Sequence, residues 1–83
     1  MDAPDLYYSN ILTEFYWDAI SGADTYFIYA NGEIYDSTTE TNYSASSIPN
    51  GSVIYITAYN SGTEEESAAS NTITFYSSLS APY

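Results

Sequence analysis

The chain contains no cysteine, histidine, lysine, arginine or glutamine. Average usage would place roughly ten Lys or Arg in a protein of this length, so their absence is a property of the molecule and not a sampling effect. Each absence excludes something. Without cysteine there is no disulfide and no thiolate metal site. Without Lys or Arg there is nothing to displace counterions from a nucleic-acid backbone or to attract an anionic membrane, and every side-chain charge repels both. Phosphate-cradling enzymes lose their usual cation, and Ser–His or Cys–His nucleophile chemistry loses its base. No run approaches 18 apolar residues, so no membrane-spanning helix is expected. The opening Met1-Asp2-Ala3-Pro4-Asp5 has neither a basic region nor an apolar run, so no signal peptide is expected.

What remains is acidic and aromatic. Eleven carboxylates set a formal charge of −11, and 11 Tyr, 3 Phe and one Trp bring the aromatic share to 18%. That aromatic share, with 45% hydrophobic residues, separates the chain from acidic disordered tails. Its 83 residues hold one small domain with a thin core. Two carboxylates can in principle act as acid and base, but a domain of this size offers no deep cleft to raise the pKa of one. The expectation is a protein that is not an enzyme and uses no cofactor or metal.

Short runs rich in Tyr, Thr, Ile, Val and Phe, broken by turn residues every 8 to 12 positions, read as β throughout. Strands are expected at 6–8, 11–17, 25–30, 33–36, 41–45, 52–60 and 71–76. Alternation puts Ile11, Thr13, Phe15 and Trp17 on one face of the second strand. It points Tyr26, Ile28, Ile54, Ile56, Ala58, Ile73 and Phe75 into the core. Asn31-Gly32 is a strong hairpin signal, because both positions accept positive φ in a type I′ turn. Seven strands without helical periodicity predict an antiparallel two-sheet sandwich over residues 5–76, after a short lead-in at 1–4 and before a polar tail at 77–83.

The order Trp17, Ser21-Gly22-Ala23 and Tyr26-Phe27-Ile28-Tyr29-Ala30-Asn31-Gly32-Glu33 resembles strands B, C and C′ of a fibronectin type III domain, an immunoglobulin-like sandwich. Ile48-Pro49-Asn50-Gly51, Ile56-Thr57-Ala58-Tyr59-Asn60 and Ser67-Ala68-Ala69-Ser70-Asn71 extend the resemblance, the second of them as the ending of strand F. The flavour is that of modules in secreted microbial proteins and some virion proteins, which implies an extracellular or particle-surface setting. One position departs from the pattern. Where the family usually carries its corner tyrosine, six residues before the strand F alanine, this chain has Ser52.

Outward positions of strands C, C′ and F are then Phe27, Tyr29, Tyr35, Val53, Tyr55 and Tyr59, a continuous aromatic band. Such bands mark interfaces, since tyrosine gives large contact area at low entropic cost. The plainer reading is that tyrosine is a good strand former and the pairs only stabilise a small sheet. Glu64-Glu65-Glu66 falls where the family carries its F–G binding loop. It reads either as a site for calcium or a cationic partner or, more simply, as a solvated loop, and the scattered Asp18, Asp24 and Asp36 read as solvated too. Sequons at Asn42 and Asn50 are short enough to arise by chance in a Ser- and Asn-rich chain.

The missing cations fit a halophilic or acidic habitat, resistance to trypsin-like cleavage, a positively charged partner, or design against reactive amines. The expected function is a structural assembly subunit of a surface filament, shell or virion that packs through the aromatic band, with another copy or another protein as partner. The alternatives are a monovalent protein- or glycan-recognition module and an inert spacer from a larger secreted enzyme.

Overall fold

The computed structural model describes residues 1–76, so the tail expected at 77–83 lies outside the described residues. Eight strands form two antiparallel sheets, and no helix occurs among the described residues. One sheet has the order β1 (Tyr7–Ser9), β2 (Glu14–Tyr16), β5 (Asn42–Ser44). The other runs β4 (Glu33–Thr38), β3 (Thr25–Ala30), β6 (Val53–Asn60), β7 (Glu65–Glu66), with β8 (Ile73–Thr74) also pairing β6.

The core between the sheets follows the two-residue alternation of β3 and β6. Tyr26, Ile28, Ile54, Ile56 and Ala58 are buried from one side, and Phe15 and Trp17 meet them from the other. Aromatic edges lock the layers together: Phe15 lies 6.0 Å from Phe75, Tyr8 bridges both, and Trp17 packs 5.5 Å from Tyr26. Leu6, Ala45 and Ile48 complete the core, while Ile73 is half-buried at its margin. The expected hairpin is present, with Asn31 and Gly32 at φ 56° and 87°. Asn31 also clips the turn to β6, donating from its backbone to Val53 O at 2.9 Å and accepting Val53 N–H on Oδ1 at 3.0 Å.

The run 11–17 is not one strand. Thr13 adopts φ 55°, an uncommon conformation for a β-branched residue, and this breaks the alternation. Thr13 therefore sits in a turn, and Ile11 and Leu12 at the hairpin tip are 89% and 66% exposed. Only residues 14–16 pair as β2.

The count rises from seven to eight because a two-residue strand, β7, forms at Glu65–Glu66 where a loop is expected, while the strand expected at 71–76 shortens to β8. Between β7 and β8 the chain bulges away from β6, and two serines replace the missing carbonyls. Ala58 N–H donates to Ser67 Oγ and Ile56 N–H donates to Ser70 Oγ, each at 2.9 Å. The same serines return their own N–H groups to Ala58 O and Ile56 O. Asn71 then ties this segment to the residue before β1, accepting Leu6 N–H at 2.8 Å and donating to Leu6 O at 3.0 Å. Ser52, the position that departs from the resembled pattern, is buried and donates its hydroxyl to Pro49 O at 2.8 Å.

Candidate functional site

The outward positions of β3 and β6 are set by the same alternation that fills the core. Tyr29 pairs with Tyr55 and Phe27 with Thr57 across the two strands, while Tyr59 stands opposite Thr25. The Tyr29 and Tyr55 rings stack with centroids 4.7 Å apart and planes 10° from parallel. Phe27, opposite a small residue, leans diagonally to Tyr59 at 5.0 Å. All four rings are half-buried, largely a consequence of this mutual packing. Val53 continues the row and is exposed.

Thr57 lies between Tyr55 and Tyr59 on the same strand face and is only 4% exposed. The carboxylate of Glu66 reaches it: Glu66 pairs with Tyr59 from β7, and its Oε2 accepts both Thr57 Oγ1 and Tyr29 Oη at 2.7 Å. That bond to Glu66, reinforced by partial burial, pushes the Tyr29 phenol up to about 12. The Glu66 carboxylate is thus fixed on the aromatic face, held by two hydroxyl donors.

Tyr35 does not belong to this face. A register shift beside Ile28 and Tyr29 inserts one extra residue into β4, so Tyr29 faces Ile34 and Ile28 faces Asp36. The bulge turns Tyr35 toward β5, where its ring meets Tyr43 edge-on at 6.3 Å and its hydroxyl donates to Ser47 O at 2.7 Å. Ile34, 58% exposed, takes the outward place opposite Tyr29. Beside Tyr35, the Tyr43 hydroxyl donates to Asp36 Oδ2 at 2.7 Å. Burial, then that hydrogen bond, pushes the Tyr43 phenol up to about 12, and the same bond holds the Asp36 carboxyl below its ordinary range.

The triple glutamate is only in part a loop. Glu64 occupies the turn at φ 59°, and Glu65 and Glu66 form β7. Their side chains part company as strand neighbours do: Glu65 lies 3.7 Å from the Met1 α-amino group, and Glu66 covers Thr57. No group of three His, Cys, Asp or Glu among the described residues converges to hold a metal. Asp24 is not idle either. It accepts the Ser61 hydroxyl at 2.7 Å, Ser61 N–H and the Thr25 hydroxyl, which together hold its carboxyl below the ordinary value.

A second, smaller aromatic feature lies on the other sheet, where Tyr7 and Tyr16 pair across β1 and β2 and stack at 5.4 Å, both exposed. The chain matches no family model, no curated protein and no solved structure.

Proposed function

We propose that the protein is a non-catalytic assembly subunit that packs against a neighbouring protein through the outer face of its five-stranded sheet, as a component of an extracellular or particle surface. The observation that carries this reading is the contiguity of Phe27, Tyr29, Tyr55, Tyr59, Val53 and Ile34 on one face. Phe27, Val53 and Ile34 have no hydroxyl to turn toward water, and together with the tyrosine rings they form the kind of apolar surface that interfaces cover.

The finer architecture we infer is fibronectin type III-like. The order β1-β2-β5 against β4-β3-β6-β7/β8 corresponds to strands A-B-E against C′-C-F-G, with G split by the serine bulge. The Ser52 hydroxyl bond to Pro49 O supports the same reading, because it supplies from a smaller side chain the upstream backbone contact that a corner tyrosine makes.

The test is light-scattering mass across concentration at pH 7 and pH 4, in low and high salt. A charge of −11 opposes the packing of copies at neutral pH, so protonation or screening is expected to promote it. Masses above 9.2 kDa that Tyr29→Ala with Tyr55→Ala abolishes would uphold self-packing. A monomer under every condition would overturn it.

A further inference from the structure

Glu66 gives the outer face a polarity that aromatic stacking does not need. Both of its hydrogen bonds fall on Oε2, leaving Oε1 directed by the same anchors but without a partner among the described residues. Its neighbours on this face are Tyr29, which bonds it, and Tyr59, which pairs with it, each packed on a further ring, and aromatic faces carry negative quadrupole density. Rings and carboxylate together form the chemical setting that attracts a cation, the ring faces by cation–π contact and the carboxylate by a charge-assisted hydrogen bond.

No group in this chain meets that demand. There is no Lys, Arg or His, and the α-amino group of Met1 sits at Glu65, on the opposite side of β7 from Glu66. A second copy laid face to face at neutral pH would set carboxylate against carboxylate. From this charge complementarity we propose that the outer face docks an arginine side chain presented by a different protein, with the guanidinium bonded to Glu66 Oε1 and stacked on the ring of Tyr59, the cross-strand neighbour of Glu66. Arginine fits better than lysine, since its planar, weakly hydrated head both stacks and donates in a fixed direction. The proposal rests on reading this face as an interface, and it names the chemistry of the neighbour at neutral pH.

The probe is a blocked peptide carrying two arginines, titrated into the intact protein at pH 7 and low salt, beside its lysine and citrulline counterparts. Ring resonances of Phe27, Tyr29, Tyr55 and Tyr59 report the site by NMR. The arginine peptide is expected to shift those rings, the lysine peptide to bind more weakly, and the citrulline peptide not to bind. Glu66→Gln is expected to weaken binding at least about fivefold, whereas Glu14→Gln, which removes the same charge from the other sheet, changes it less than about twofold. Tyr59→Leu gives an independent reading should Glu66→Gln disturb the fold. Equal weakening by Glu66→Gln and Glu14→Gln, or unshifted ring resonances, would overturn the proposal by reducing the attraction to diffuse charge. Light-scattering mass of the same samples separates the two readings. Self-association that the Tyr29/Tyr55 double variant abolishes, without peptide binding, keeps the assembly face and overturns its arginine partner. Neither self-association nor binding overturns both.

Discussion

The Tyr29 hydroxyl donates to Glu66 Oε2 at 2.7 Å across 37 positions of sequence, and so joins the centre of β3 to β7 over the top of β6. The bond is a side-chain strap across three strands, and it fixes the Glu66 carboxylate on the aromatic face.

Alkaline titration reads this strap directly. The folded chain holds the Tyr29 and Tyr43 protons more tightly than the ordinary value of 10.0, with both phenols at about 12. Their contribution to stability is therefore complete below about pH 10 and is lost as pH rises through about 12. An absorbance titration of the folded protein is expected to show two late tyrosines. Glu66→Gln returns Tyr29 toward the ordinary value, since that hydrogen bond is its largest cause. Asp36→Asn returns Tyr43 only in part, because burial outweighs its bond to Asp36.

On the acid side, Asp24→Asn tests the link between the start of β3 and the end of β6. Ser61 and Thr25 hold the Asp24 carboxyl below 3.8, so its stabilisation is present above that pH and lost as pH falls through the lowered value. The variant is expected to melt at a lower temperature than the parent at pH 7. The gap should narrow below about pH 3.8, which paired melting curves at the two pH values would reveal.

The serine bulge is expected to be costly to disturb. Ser70→Ala removes the acceptor of the Ile56 N–H in the middle of the most buried strand and should cost about 1–3 kcal/mol. Ser67→Ala, nearer the exposed end, should cost less. Denaturant unfolding gives the magnitudes, and faster hydrogen exchange at the Ile56 amide gives the location.

Two apolar residues of similar kind should behave in opposite ways. Ile56, fully buried between the sheets, is expected to lose about 2–5 kcal/mol on replacement by alanine. Ile11→Ser and Leu12→Ser, at the exposed hairpin tip, should change stability by no more than about 0.5 kcal/mol. The alternation of the run 11–17 suggests the reverse for Ile11.

That contrast marks where the sequence was readable. The Asn31-Gly32 turn and the long strands β3 and β6 carry strong local signals, a compulsory positive φ and an uninterrupted period of two, so the hairpin and the strand faces followed. Residue 13 carried no such signal, because threonine gives no local sign of a left-handed turn. Tyr35 failed for a related reason. One bulge residue reverses the side a strand presents, and bulges depend on the neighbouring strand more than on the bulged residue. Glu66 was legible only as one of three glutamates. Its place on the aromatic face depends on a two-residue strand paired to β6 and on Tyr29, 37 residues away. The role of Ser67, Ser70 and Asn71 was hidden in the same way, since a serine that replaces a backbone carbonyl looks like any loop serine.

The most direct test of the account is oxidative footprinting of the tyrosines, comparing dispersed protein with protein at concentrations and pH where its mass rises. Tyr7 and Tyr16, stacked and exposed on the opposite sheet, serve as an internal control. Packing through the outer face predicts protection of Tyr29, Tyr55 and Tyr59 on assembly, with Tyr7 and Tyr16 unchanged. Protection of Tyr7 and Tyr16 instead, or no protection at any concentration, would contradict it.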